Sequence, residues 1–207
     1  MLFFRRPFRY RYDNTVLFVI GINILVYILQ QMYPITSYIA LNPVAVLNGW
    51  VWQVVTYMFA HGGISHLLFN MLGLFIFGTQ VERHIGSKEF LLYYMLTGIL
   101  AGMFSFFVYY LTGAYWVFLL GASGALFAVQ LAYATFFPDA VVFIWGILPL
   151  RAPIMVLGFT LIELVSSFTG FRSSVAHLTH LAGFAFGWFY FLIRFGSNPW
   201  NSMVRRG

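Results

Sequence analysis

The chain has 207 residues, 61% of them hydrophobic and 8% charged, and its 11 Lys and Arg outnumber 5 Asp and Glu for a formal charge of +6. Water-soluble domains carry about a quarter charged residues. This composition, with a mean hydropathy of +0.85, excludes an ordinary soluble domain and predicts a membrane protein. The absence of cysteine excludes disulfides and thiolate metal sites.

Residues 1–13 form a basic segment in which Arg5, Arg6, Arg9 and Arg11 alternate with Phe8, Tyr10 and Tyr12, as suits a stretch lying against lipid headgroups. Its length, and the lack of a small-residue cleavage site after the first apolar run, argue against a secretory signal peptide. Six apolar runs follow: Val16 to Met32, His66 to Val81, Phe90 to Tyr110, Ser123 to Phe137, Ile154 to Phe168, and Ala176 to Phe195. A spanning helix needs about 20 largely apolar residues, which these runs reach or approach. None alternates apolar with polar residues as a barrel strand must. The expected fold is therefore an all-α membrane protein with six transmembrane helices, forming a single domain over 1–207 that ends in a short tail, 196–207. No internal repeat is visible.

Charge placement orients the bundle. Arg5, Arg6, Arg9, Arg11, Arg83, Lys88, Arg151, Arg194, Arg205 and Arg206 fall on one side of the six runs, and only Arg172 falls on the other. The positive-inside rule then predicts that both termini are cytoplasmic. Because the positive charge reports topology, it implies no nucleic-acid partner. The topology suits a bacterial cytoplasmic (inner) membrane.

Polar side chains are costly in a bilayer, so their positions carry information. His61, His66 and Asn70 sit at the start of the second run, Ser123 at the start of the fourth, and His177 and His180 at the start of the sixth. All three starts lie on the non-cytoplasmic side. The fourth run has 15 residues before Pro138, about 22 Å of helix against a hydrocarbon core of about 30 Å. It therefore begins below the outer surface, preceded by an apolar loop, Val117 to Leu120. In the second run Gly62 and Gly63 break the chain, Ser65 is the expected N-cap, and His66 opens the helix. A water-accessible cavity sunk into the bilayer follows, since irregular backbone at that depth must face protein or water.

Gly121-Ala122-Ser123-Gly124 puts a serine at a helix N-terminus, where free N–H groups and the helix dipole suit a developing oxyanion. Alone, the same residues also read as a helix cap with a packing contact. His180, Gly183 and Gly187 share a helical face, and the two glycines permit close helix approach. If that face meets the fourth helix, His180 reaches Ser123 and can act as its base; alone, it reads equally as a structural histidine. His66 and Asn70, four residues apart, share a face and can both donate to an oxyanion, or serve as polar glue between helices. Coincidence at one depth favours the catalytic reading of all three.

These segments, His66-Leu67-Leu68-Phe69-Asn70, Gly121-Ala122-Ser123-Gly124 and His180 with Gly183 and Gly187, together resemble the rhomboid intramembrane proteases. Val81-Glu82-Arg83-His84-Ile85-Gly86-Ser87 resembles the turn that follows this family's second helix. The resemblance implies a rhomboid-like bundle and an intramembrane serine endopeptidase. Ser123 would be the nucleophile and His180 the base, with His66, Asn70 and the Ser123 N–H holding the oxyanion. Its substrates would be transmembrane segments of membrane proteins, cut near the outer leaflet without a metal or other cofactor. His61 would steady its loop, and His177 would neighbour His180. Two departures stand out. Gln53 follows Trp52 where many rhomboids have arginine, and Phe127 stands where a tyrosine often stacks on the catalytic histidine.

Glu163, inside the fifth run, has no role in the family pattern, and a protonated or hydrogen-bonded structural role is expected for it. One rival reading is a non-catalytic rhomboid relative that binds or escorts membrane proteins; such relatives typically lack the serine or the histidine. A second is a zinc metalloprotease or metal transporter using His61, His66, His177 and His180. The lack of an HExxH helix and of an acidic residue beside the cluster opposes it.

Overall fold

The computed structural model describes residues 7–144, 146–168 and 174–204. Arg5, Arg6, Arg172, Arg205 and Arg206, used above to orient the bundle, lie outside the described residues.

The first apolar run is α1 (Thr15–Met32). The loop after it contains three short helices, α2 (Thr36–Ile39), α3 (Pro43–Leu47) and α4 (Gln53–Thr56), then a 3-10 turn, Tyr57–Phe59. The start of α3 is dictated locally: Pro43 opens the helix, and the Asn42 side chain accepts from the Ala45 N–H. The second run is α5 (Ile64–Gly73), a π-helical turn (Leu74–Gly78) and α6 (Thr79–Ile85). Here the expected cap is wrong. The helix begins at Ile64 with Gly63 before it, so Ser65 sits inside the first turn and caps nothing. The glycine pair alone makes the break.

The third run is α7 (Ser87–Leu111) and the fourth is α8 (Ser123–Phe136). Between α8 and α9 (Ala152–Phe168) lies a hairpin that the sequence reading did not foresee. In it β1 (Val141–Ile144) pairs antiparallel with β2 (Leu148–Arg151), with Val141 opposite Arg151 and Ile144 opposite Leu148. The sixth run is α10 (Ser174–Tyr190) with a π-helical turn (Phe191–Phe195), followed by α11 (Pro199–Val204). Four helical stretches, Thr15–Met32, Ile64–Ile85, Ser87–Leu111 and His177–Phe195, are long and apolar enough to cross a membrane. The helices α8 and α9 are apolar but shorter, at 14 and 17 residues.

The short α8 is the central helix. Ten of its 14 residues are buried, with α7, α9 and α10 packed around it. The approach of α10 is set by Gly183, where a β-carbon would stand 1.9 Å from the carbonyl oxygen of Gly124. One turn on, a β-carbon at Gly187 would meet the Tyr93 hydroxyl at 2.6 Å. That hydroxyl is fixed by donating to the Ala128 carbonyl at 2.6 Å. Backbone therefore packs on backbone, as small residues permit between membrane helices.

At the end away from Ser123, two buried carboxylates tie the chain together. Glu82 accepts from the Thr15 and Val16 N–H groups at 2.6 and 3.0 Å and from the Ser87 hydroxyl. A carboxylate at the N-terminus of α1 also satisfies donors that a helix start leaves free. Glu89 accepts from Arg194 Nε and Nη2 at 2.8 and 2.9 Å, from the Tyr190 hydroxyl at 2.5 Å and from the Phe8 N–H at 3.0 Å. These bonds gather the segment before α1, the α6–α7 turn and the end of α10 at one end of the bundle.

Gly183→Ala is expected to destabilise the protein by roughly 1–3 kcal/mol, the usual cost of overpacking, and larger residues there to prevent folding. Thermal unfolding in detergent measures this, and an unchanged midpoint for Gly183→Ala would show that the α8–α10 contact is loose.

Candidate active site

Ser123 is the first residue of α8. The chain reaches it through Gly121, whose φ of 120° lies in the region that side chains disfavour. The Gly121 N–H donates to the Tyr57 carbonyl at 2.9 Å, and the Tyr57 hydroxyl donates to the Gly98 carbonyl at 2.6 Å. A β-carbon at 121 would sit 2.8 Å from His66 Nε2. Only glycine therefore lets the imidazole of His66 close over the segment leading to the serine.

The loop before Ser123 is held by the loop after α1. Leu41 and Leu119 exchange backbone hydrogen bonds at 2.9 Å, and Asn42 Nδ2 donates to the Tyr115 and Val117 carbonyls, both at 3.1 Å. Leu119 is buried, while Val117 and Phe118 face outward. Gln53 explains its own departure from the family pattern. It is fully buried, accepts from the Asn42 N–H at 3.0 Å, and donates to the Ser37 and Tyr38 carbonyls at 2.9 and 3.3 Å. A neutral amide thus braces this loop from inside.

His180 Nε2 lies 2.7 Å from Ser123 Oγ. Phe127, one turn along α8, stacks on the imidazole with ring centres 4.7 Å apart and planes 3° from parallel. The lost tyrosine hydroxyl therefore leaves the stacking intact. Beside His180, Thr179 meets Ser105 of α7 in a buried 2.6 Å hydrogen bond. Gly124, Gly183 and Gly187 lie at the α8–α10 contact described above.

His66 and Asn70 lie on one face of α5. Asn70 donates one amide hydrogen to the His66 carbonyl at 2.8 Å, which leaves its second for a ligand. Asn70 and Ser123 line the same cavity. His61 sits behind them with its ring centre 5.2 Å from that of His66. Its peptide is clamped by Gln30 of α1, which accepts from the His61 N–H at 3.0 Å and donates to its carbonyl at 3.3 Å. Gln30 thus ties the loop at His61 to α1 through the His61 peptide.

His177 is one turn from His180, and both meet Glu163 of α9. His177 Nδ1 contacts Glu163 Oε2, and His180 Nδ1 stands 3.1 Å from Oε1. This corrects the sequence reading, in which no acidic residue accompanied the histidines. It also divides the four histidines of the zinc reading, pairing His61 with His66 and His177 with His180. Among the described residues, the three groups near enough to share a metal ion are Glu163, His177 and His180. No spacing rule links residue 163 to 177 or 180, so only the tertiary packing of α9 on α10 reveals their contact.

A cleft of about 690 Å³ runs between α5 and α9, walled by apolar side chains such as Phe69, Leu72, Phe159 and Ile162, with Ser123 and Asn70 in its lining. Gln130, two turns below Ser123 on α8, also lines it, and its buried Oε1 has no partner. The sequence reading overlooked Gln130. Its polarity in an otherwise apolar run was the available signal.

A rhomboid-domain family model matches residues 48–197. The chain is 42% identical over 82 residues to the rhomboid protease GluP of Bacillus subtilis, a match covering 40% of this chain and 15% of that protein. It is 31% identical over 153 residues to RHOMBOID-like protein 12, mitochondrial, of Arabidopsis thaliana, covering 67% and 45% of the two chains. Over 185 residues it is 26% identical to the presenilin-associated rhomboid-like protein, mitochondrial, of Rattus norvegicus, covering 86% and 48%. Each match spans less than half of the relative's length. The chain belongs to the rhomboid family, and its long apolar helices make it an integral membrane protein.

Burial pushes His61 down to about 4, the nearby charge of His66 acts in the same direction, and the Phe59 carbonyl opposes both. The unfolded chain therefore binds more protons than the folded one between about pH 6.5 and pH 4. Stability is full above that window and falls as pH drops through it. Lowering the pH from 7.5 to 5 is expected to depress the unfolding midpoint of the wild type by roughly 5 °C more than that of His61→Gln. Equal depressions would refute the account.

Proposed function

We propose that this protein is an intramembrane serine endopeptidase that cleaves transmembrane segments of membrane proteins with a Ser123–His180 dyad. The observation that carries the reading is the 2.7 Å separation of Ser123 Oγ and His180 Nε2 beside an apolar cleft that opens between two helices. A soluble peptide has no reason to enter such a cleft, whereas a helix that unwinds from the bilayer does.

In this mechanism Ser123 Oγ attacks the scissile carbonyl as His180 Nε2 takes its proton. The oxyanion is held by the Ser123 N–H at the start of α8, by the free amide hydrogen of Asn70 and by His66. His180 returns the proton to the leaving amine. Water then repeats the sequence on the acyl-enzyme. The chemistry invokes no cofactor. The substrates are single-span proteins with helix-breaking residues near the outer leaflet and a small residue at the cut.

The same reading takes α8 and α9 as short spans, giving six in one domain over 1–207. Both termini are cytoplasmic, in a bacterial inner membrane. The gathering of Arg9, Arg11, Arg83, Lys88 and Arg194 around the Glu82 and Glu89 networks supports that orientation.

Cleavage of a model transmembrane substrate in liposomes is expected to fall at least about a thousandfold in both Ser123→Ala and His180→Ala, and to be indifferent to EDTA. Asn70→Ala is expected to lose about a hundredfold in kcat, as removal of an oxyanion donor does. Cleavage retained by Ser123→Ala would remove the nucleophile and the mechanism with it. A wild type that neither cleaves nor reacts with a serine-directed phosphonate at Ser123 would favour a binding-only relative.

A further inference from the structure

We infer that Glu163 is a positioning residue for the base: its carboxylate holds His180 in the tautomer that can accept the Ser123 proton, which makes the dyad functionally a triad. The inference rests on the Ser123–His180 reading above.

A serine hydroxyl can donate to His180 Nε2 only if that nitrogen is unprotonated, so the proton of the neutral ring must sit on Nδ1. Glu163 Oε1 stands 3.1 Å from Nδ1. Both side chains are largely buried, 19% and 16% exposed. The contact lies off the N–H direction, so Nδ1 has no formed hydrogen bond at rest. It is an electrostatic contact that a small ring rotation converts into a bond. Catalytic hydrogen bonds commonly tighten in this way when substrate binds. A carboxylate facing Nδ1 favours the Nδ1–H tautomer and stabilises the imidazolium formed as Ser123 gives up its proton.

The other oxygen of Glu163 is held by His177 Nδ1. His177 therefore aims the carboxylate, and a mobile acid becomes a fixed one. The two oxygens serve two histidines one turn apart on α10. This geometry requires that α9, which forms one wall of the cleft, lie against α10 when the base is primed. The orientation of the base is thereby coupled to the position of a wall that the substrate touches.

Two measurements test this. In wild-type protein with ¹⁵N-labelled histidine, the His180 signal, assigned by its loss in His180→Gln, is expected to show the Nδ1-protonated tautomer with a low-field proton that moves upfield in Glu163→Gln. An Nε2-protonated His180 in the wild type would overturn the proposal whether or not Glu163→Gln folds. In folded Glu163→Gln, kcat is expected to fall about 10- to 1,000-fold with KM changed less than about threefold. A kcat within twofold of wild type would overturn it. Cleavage retained in Ser123→Ala would instead sink the underlying dyad, so the two failures are distinguishable.

Discussion

The carbonyl oxygen of Gly124 occupies the space that a β-carbon at residue 183 would need, at 1.9 Å. This fixes how closely α8 and α10 lie. Ser123 precedes the contact on one helix and His180 precedes it on the other, so their 2.7 Å separation follows from backbone packing. The surrounding side chains keep that spacing. Phe127 stacks on the imidazole, and Thr179 bonds Ser105 across α7 and α10. Dispersion and small-residue packing hold membrane helices together, since lipid is as apolar as they are. The accuracy of the site is therefore set by how close two glycines come.

A second constraint is that buried polar atoms must be paired. Far from Ser123 the pairing is thorough: Glu82 and Glu89 between them accept seven hydrogen bonds. Near Ser123 it is incomplete. Six buried side-chain atoms among the described residues lack a partner, and four of them belong to His61, Asn70, Gln130 and His180. Two of these residues, Asn70 and Gln130, line the cleft, and His180 contacts Ser123, so unmet bonding capacity is concentrated around Ser123 and the cleft. At the opposite end, Glu82 and Glu89 tie the N-terminal segment to the bundle.

What the sequence made legible was local or periodic. The helix face bearing His180, Gly183 and Gly187, the pair of His66 and Asn70, and the brevity of the helix after Ser123 all follow from 3.6 residues per turn and the placement of Pro138. The expected helices survive with shifted ends. What was not legible depends on contacts between distant segments. Glu163 stood out as a carboxylate in an apolar run, yet nothing in its neighbourhood names His177 or His180 as partners. Gln53 looked like a lost arginine until its three hydrogen bonds were visible. The hairpin at 141–151 was hidden because a short β-branched run beside a membrane helix reads as more apolar chain. Ser65 misled because a capping residue type was present, while the glycines before it had already ended the loop.

The cleft between α5 and α9 has a further consequence. Its walls are largely apolar, so in a bilayer acyl chains would compete for it. On the protease reading proposed above, a substrate helix would exchange with that lipid rather than bind from water. Apparent affinity then scales with the substrate's mole fraction in the membrane, not with its bulk molarity. Thinner, more fluid or shorter-chained lipids change the competitor as well as the solvent. The composition of the bilayer is thus a reactant in the exchange, and rates compared between detergent and liposomes are comparisons between different competitors.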